Sequence, residues 1–338
     1  MKEIYINGKF LCQKVTGVQR VAIELTKALD NINDPDLKFH ILAPSNIINK
    51  FELNNIDIIE VPGNAGYPWE QLKLPKYCKK HKVVDLLSFC NIAPIKFPGS
   101  CFVHDLAVIE AKEGYSWKQR FIYKYINKKN MKKYKNIFTV SNTMKNHIES
   151  YYNVKNVNVL YNGCEHLKVA NEAKPSFDIP QKYYLAVGSM NPNKNFASIL
   201  RIAKNMPLDN FLIVGGSHKS FQEQKMEIPS NVKFVGYVSD NELTYLYSHA
   251  YAFLFPSKYE GFGIPPMEAI TLGCKTVICN NIDVLHELYD GICDFEDFDK
   301  IDYLKPSYKT ITDNDIETLK ERFSWYKSAN ELISILKK

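Results

Sequence analysis

The sequence predicts an α/β architecture of two doubly wound parallel-sheet domains facing a central cleft. Three observations carry this. Short apolar runs alternate with helical patterns from end to end. The runs are continuous in Val, Ile, Leu, Phe and Tyr rather than alternating with polar residues, as strands buried on both faces are. A polar stretch near the middle divides the chain into halves with the same strand–helix order, which argues for parallel sheets.

The first half supplies the strand-like runs "EIYIN", "FHILAP", "DIIEVP", "VVDLLSF", "SCFVHD", "IFTVSN" and "VNVLYNG". The second supplies "YYLAVGS", "FLIVGG", "VKFVGY", "AFLFPS" and "KTVICN". Helical stretches such as "GVQRVAIELTKALD" and "NELTYLYSHA" lie between them. Residues 165–182, "EHLKVANEAKPSFDIPQK", are polar, carry two prolines and show no period, which reads as a linker. The domains are accordingly placed at 1–167 and 168–338, with the last helix free to pack back on the first. The C-terminal "ETLKERFSWYKSANELISILKK" reads as one or two helices with Phe323, Tyr326, Ile333 and Leu336 facing inward.

Composition narrows the function. The chain has 338 residues, 45% hydrophobic and 24% charged, which suits two globular domains. A net charge of +6 does not by itself call for nucleic acid. No apolar run approaches the roughly 20 residues that span a bilayer. "MKEIYING" starts directly on a strand pattern, without a signal-peptide core. The 8 cysteines are scattered without a C-x-x-C pair. They read as reduced, mostly buried residues of a cytoplasmic protein, not as a disulfide frame or a zinc site.

The segment with the most chemistry is "KYEGFGIPPMEAI", residues 258–270. It follows the buried run "YAFLFPS", so the loop sits at the carboxyl end of a strand, where open α/β sheets bind ligands. Gly261 and Gly263 let the backbone approach a ligand. Pro266 suits the first residue of a helix, which puts Glu268 in the first turn and Gly273 at the stop. That helix start would favour a phosphate, and the carboxylates of Glu260 and Glu268 would accept from nearby hydroxyls. Taken singly, Glu260 reads equally well as a solvated loop residue and Glu268 as a carboxylate near a positive helix end.

"VGSMNPNKNF", residues 187–196, is the turn after the first strand of the second half. Lys194 there can reach a diphosphate as a point charge, or be an ordinary surface lysine. In the first half, Thr16-Gly17 stands directly before a helix, a loop-to-helix anion site in outline but not a G-x-G-x-x-G or a P-loop. His104 and Asp105 end the run "CFVHDL". As an isolated pair they read equally as a structural contact.

In order, these residues resemble a family. A glycine loop before the first helix is followed by His104-Asp105, "VSN" at 140–142, "NG" at 162–163, "VGSMNPNKN", and E-x7-E as "EGFGIPPME". The series resembles retaining glycosyltransferases of the GT4 type with a GT-B fold of two Rossmann-like domains. "TGVQRVAIEL" looks like the subgroup that builds bacterial surface polysaccharides such as O-antigen and capsule. The resemblance implies an acceptor-side N-terminal domain and a nucleotide-sugar donor domain.

It also implies roles. Glu260 would bind donor-sugar hydroxyls. Gly261, Phe262 and Gly263 would offer backbone contacts to sugar and phosphates, and Glu268 would bind the ribose. Lys194, with Asn193 beside it, would hold the diphosphate. Gly17 would let the N-terminal loop close over the donor, and His104 would sit beside the transferred sugar. Glu260, Lys194 and His104 would be the catalytic set. Two departures stand out. Asn193 replaces a cation often found before the lysine, with Arg201 and Arg20 as candidates to compensate. Thr16-Gly17 replaces paired glycines.

The expected reaction moves a hexose from a nucleoside-diphosphate sugar, leaning to a GDP-sugar such as GDP-mannose, to a saccharide or lipid-linked saccharide, with retention. Negative charge grows on the departing diphosphate, so its stabilisation is the main catalytic need. None of the candidate site segments carries a D-x-D sequence that would hold a metal; neither a metal nor another cofactor is expected, the nucleotide-sugar being a co-substrate. "FIYKYINKKNMKKYKN", residues 121–136, puts Lys124, Lys128, Lys132 and Lys135 on one helical stripe. With Tyr123, Tyr125 and Tyr134 this reads as a solvated face or as a surface for anionic headgroups on the inner face of the plasma membrane. Nucleic acid is not expected, since no recognised binding module accompanies the charge. The rival readings are a GT-B nucleotide-sugar epimerase and a non-catalytic nucleotide-sugar-binding partner of an assembly complex.

Overall fold

The computed structural model describes residues 1–215 and 227–338. It divides into two compact units, residues 1–163 with 324–338, and residues 164–323.

The first unit is built on strands β1 (Lys2–Asn7), β2 (Leu37–Ala43), β3 (Asp57–Glu60), β4 (Asp85–Ser88), β5 (Ser100–Phe102), β6 (Ile137–Thr139) and β7 (Val157–Val159). They form one seven-stranded sheet of order β3-β2-β1-β4-β5-β6-β7, parallel throughout. Its helices are α1 (Gly17–Ile32), α2 (Leu74–Lys80), α3 (Ala107–Glu110), α4 (Trp117–Asn130) and α5 (Asn142–Tyr152). Serine caps start the last two. Ser116 and Gln119 form a reciprocal capping box on α4, and Ser141 accepts from the Met144 amide on α5.

The second unit repeats the plan with β8 (Tyr184–Val187), β9 (Phe211–Val214), β10 (Val232–Gly236), β11 (Ala252–Phe255), β12 (Val277–Asn280) and β13 (Asp294–Glu296). The six-stranded sheet has the order β10-β9-β8-β11-β12-β13, again parallel. Its helices are α6 (Phe196–Asn205), α7 (Asp240–Ser248), α8 (Ile264–Thr271), α9 (Asp283–Tyr289) and α10 (Asp313–Arg322). The core is filled by residues such as Phe196, Ile199 and Ile202 of α6 against Ala186, Ile213 and Leu254 of the strands. Each fully buried side chain of that size contributes about 1.5–3 kcal/mol. Among the described residues, no helix is long and apolar enough to cross a membrane.

Both sheets are doubly wound, and the predicted runs fall on β1 to β12; the final glycine of "FLIVGG", Gly216, lies outside the described residues. β13 is an unpredicted addition, too short and too polar to show a pattern. The C-terminal segment forms two helices, and the second, α11 (Trp325–Lys337), packs on α1 in the first unit. Its apolar stripe is Trp325, Ala329, Leu332, Ile333 and Leu336. Tyr326 is exposed, a correction to its expected inward position: Trp325, one residue earlier, takes the buried face. The stretch read as a linker packs on the second unit. Leu167 is buried, Glu172 accepts from Ser248, and the Ala173 amide donates to Asn241.

Candidate functional site

In the second unit the strand order reverses between β8 and β11. A doubly wound sheet leaves its crevice there, outside the carboxyl ends of the strands. The loop after β8 is shaped by Asn191, whose side chain accepts from the Asn193 amide and starts a single 3-10 turn, Pro192–Lys194. Asn195 then takes a left-handed conformation at φ 54° and opens α6. Asparagine is among the few residues that do so cheaply. The loop after β11 meets this one at two points. The Lys258 amide donates to the Asn193 carbonyl at 2.8 Å. Lys194 Nζ lies 2.5 Å from Glu260 Oε1.

This ion pair is partly open to water, with 23% of the lysine side chain and 12% of the glutamate accessible. A ligand can therefore reach both charges. Phe255, at the end of β11, lies under the ammonium at 5.7 Å from its ring centroid. Arg201 does not supply a second cation: its guanidinium donates to the Phe298 and Ile301 carbonyls. Arg20, in the first unit, lies 3.7 Å from Glu24.

The remainder of the β11 loop is held from below. Phe262 is buried and meets Phe323 edge-on at 5.5 Å, so its ring belongs to the core and only its main chain faces the loop. Gly263 has φ 95°, and a Cβ there would stand 2.8 Å from Leu285 Cδ2. Only glycine fits both limits. The Tyr289 hydroxyl donates to the Gly263 carbonyl at 2.5 Å.

Two sequence expectations change here. Helix α8 begins at Ile264, so Pro266 is its third residue and Glu268 its fifth, beyond the first turn. Pro265 and Pro266 also lack N–H groups, which removes two of the four donors that a helix start normally leaves free. An anion at this turn would depend on the Gly263 and Ile264 amides, the helix dipole and Lys194.

Glu268 is buried, and both its carboxylate oxygens have partners. His166 Nε2 is 2.8 Å from Oε1, and the Tyr247 hydroxyl donates to Oε2 at 2.8 Å. A carboxylate only accepts, so His166 carries its proton on Nε2. Burial, reinforced by the neighbouring carboxylate, pushes the Tyr247 phenol well up and keeps it a donor. His166 and Tyr247 were not found from sequence; one stands in the apparent linker and the other in an unremarkable helix.

In the first unit, His104 follows β5 and is buried. Its Nε2 lies 2.5 Å from the Phe89 carbonyl, which fixes the proton on Nε2 and leaves Nδ1 as the acceptor. Burial pushes the imidazole down to about 4, opposed in part by that bond. Asp105 accepts from the Ala107 amide at 2.9 Å and turns the chain into α3. Gly17 is the first residue of α1, with open space where a Cβ would lie.

The first unit has its own order reversal, between β1 and β4. It holds a group that sequence reading missed. Lys9 Nζ lies 2.6 Å from Glu70 Oε2, and Asn7 Nδ2 donates to Glu70 Oε1 at 3.0 Å. Lys9 follows β1 by two residues, but Glu70 is remote in sequence and no spacing links them. Among the described residues, no three His, Cys, Asp or Glu side chains gather in the manner of a metal site.

The basic stretch at 121–136 also differs from its reading. Helix α4 ends at Asn130, and Lys135 leaves the stripe to pair with Asp85 at 2.7 Å. Tyr134 is buried and cannot meet a surface, and Tyr123 is half-buried. The exposed aromatics are Trp117, Phe121 and Tyr125.

Comparison with known proteins gives the same direction. Residues 169–290 match the family described as "Glycosyl transferases group 1". The O-antigen chain mannosyltransferase RfbU of Salmonella typhimurium is 32% identical over 220 residues, 62% of this chain and 57% of the relative. O-antigen chain mannosyltransferase B of Escherichia coli is 28% identical over 176 residues, 46% of each chain. The chain thus spans about half the length of the curated relatives it matches. Among solved structures, sucrose-phosphate synthase from Thermosynechococcus elongatus superposes with a TM-score of 0.76 at 15% identity, covering 100% of this chain and 98% of that one. HepE of Anabaena, solved with UDP and glucose, gives 0.67 at 15% identity, with 100% of both chains covered. The chain has the GT-B fold of these enzymes.

Proposed function

We propose that this chain is a retaining hexosyltransferase of bacterial surface-polysaccharide synthesis, a reading supported by the match of residues 169–290 to the glycosyl transferases group 1 family. Its donor is a nucleoside-diphosphate sugar, with GDP-mannose or a related GDP-sugar preferred. Its acceptor is a saccharide, lipid-linked, so the protein works at the inner face of the plasma membrane. The mannosyltransferase relatives support the donor class. The observation that carries the reading is the partly open Lys194–Glu260 pair, at the order reversal of the sheet and inside the matched segment.

The pair supplies what the chemistry needs. Without a donor, each charge neutralises the other. With one, Lys194 exchanges Glu260 for the diphosphate, and Glu260 turns to the sugar hydroxyls. Asn193 lies beside the phosphates, and the main chain of Gly261, Phe262 and Gly263 follows the sugar and diphosphate. Glu268 takes the ribose; His166 and Tyr247 set its orientation, and its remaining lone pairs accept. For His104 and Gly17 we keep the roles implied by resemblance, beside the transferred sugar and at the donor-covering loop.

In the reaction, the bond from the anomeric carbon to the leaving phosphate oxygen breaks as the acceptor oxygen attacks from the same face. The acceptor proton passes to that phosphate oxygen. Lys194 stabilises the departing charge, so no metal is required.

The test is a panel of GDP-, UDP- and dTDP-sugars, with and without saccharide acceptors, read by nucleoside diphosphate release and by the anomeric configuration of the product. One donor should be consumed with retention, unaffected by a metal chelator. Inversion, no donor consumed, or epimerised donor without acceptor contradicts the reading.

A further inference from the structure

The crevice of the second unit is bordered by two loops, residues 188–195 and 256–263. Between them they carry two cations, Lys194 and Lys258. Lys194 pairs with Glu260 and is used in the proposed reaction. Lys258 is not. A sugar-linked diphosphate carries a negative charge on each phosphoryl group, and Lys194 answers only one of them. The residue before it is the neutral Asn193, and Arg201 and Arg20 are both engaged elsewhere.

Lys258 is placed beside that gap. Its amide donates to the Asn193 carbonyl at 2.8 Å, so its main chain lies against the residue that lacks the charge. Its Nζ lies 2.9 Å from Asp299 Oδ1, and Asn195 Nδ2 donates to the same oxygen at 3.2 Å. The ammonium therefore stands next to the turn that also carries Lys194. The neighbouring Asp297 is paired with Lys300 at 2.6 Å, so Asp299 is the acid that neutralises Lys258. The hold is loose. The two side chains are 47% and 51% accessible, more open than Lys194 and Glu260. An exposed pair of this kind gains little over hydration, so the lysine can leave Asp299 at small cost. Its four-carbon stem lets the ammonium swing as a point charge while the main chain stays fixed.

We propose that Lys258 is a second donor-binding cation, which leaves Asp299 for the diphosphate and makes good the charge missing at Asn193. Asp299 is then the group that holds the lysine when no donor is bound. The proposal rests on the reading of the Lys194–Glu260 crevice as the donor site. It does not depend on which sugar is transferred.

The experiment is calorimetric titration of the full chain and of K258Q, D299N and Lys194→Ala with GDP, UDP and dTDP. A structural pair and a ligand-exchanging pair give different patterns. If the pair were structural, removing either partner would have the same effect. If Lys258 is handed to the donor, the two variants move in opposite directions. K258Q should weaken the nucleoside diphosphate that binds about tenfold, the loss of one charge-assisted phosphate contact. D299N keeps an acceptor for Asn195 but frees the lysine, and should tighten binding about two- to fivefold. Asn193→Arg placed in the K258Q chain should restore most of the loss. Without ligand, K258Q and D299N should melt like the wild type. Equal weakening in K258Q and D299N makes the pair structural and overturns the proposal. So does wild-type affinity in K258Q while Lys194→Ala loses affinity, a result that leaves the donor-site reading intact. No nucleoside diphosphate bound by the wild type overturns both.

Discussion

Each unit places a lysine–glutamate pair at the carboxyl ends of its strands, where the sheet order reverses. The two pairs differ in seal. Lys9–Glu70 is closed, with 11% and 1% of the side chains accessible, and Asn7 holds the second carboxylate oxygen. Lys194–Glu260 is open at 23% and 12%, on two loops that share one backbone hydrogen bond. The closed pair has exchanged water for fixed partners, so each charge depends on the other for its compensation. The open pair still faces solvent, so its charges can be handed to a ligand. The same chemistry at equivalent positions thus reads as structure in one unit and as a site in the other.

The comparison is broken most severely at the closed pair. Glu70→Ala leaves Lys9 buried without a counter-charge and should cost about 3–5 kcal/mol of the first unit's stability. Replacing both residues with apolar ones of similar size should recover most of the loss. Denaturant unfolding measures this, and a loss below about 1 kcal/mol would mean the pair is not sealed. At the open pair the effects should reverse. Lys194→Ala should cost little stability but lower turnover about 100- to 1,000-fold, the scale for losing one group that meets developing charge. Steady-state kinetics beside the same unfolding assay separates the two outcomes.

A smaller effect concerns His104. Its pKa is held at about 4, below the unfolded value near 6.5, so the folded state favours the neutral ring. The stabilising contribution of neutrality is whole above pH 6.5 and falls as acid protonates the unfolded chain preferentially, down to about pH 4. The loss over that window is about 3 kcal/mol. His104→Gln keeps a donor for the Phe89 carbonyl and should flatten the stability–pH curve there. An unchanged curve would place the acid sensitivity elsewhere.

Much of the fold was legible because buried parallel strands announce themselves as continuous apolar runs, and β1 to β12 coincide with such runs. β13 has no run to show. Some site positions were legible too. Lys194 and Glu260 each follow a strand end, where sequence can place them, but their pairing spans 66 positions and was not. The other partners were not legible either, because they depend on distance across the fold. Glu70 reaches Lys9 across 61 positions, and His166 reaches Glu268 across 102. The α4 surface failed for another reason. Tyrosines were counted by composition, whereas Tyr134 lies beyond the end of the helix and is buried, and the helix exposes Trp117 and Phe121.

The most direct test of the open pair as the donor site is isothermal titration with GDP, UDP and dTDP, using wild type, Lys194→Ala and the apolar double replacement of Lys9 and Glu70. One nucleoside diphosphate, GDP by preference, should bind the wild type and the Lys9–Glu70 variant alike. Lys194→Ala should weaken it at least about tenfold, the loss of one charge-assisted phosphate contact. Equal binding by Lys194→Ala, or no binding of any of the three to the wild type, would contradict the assignment.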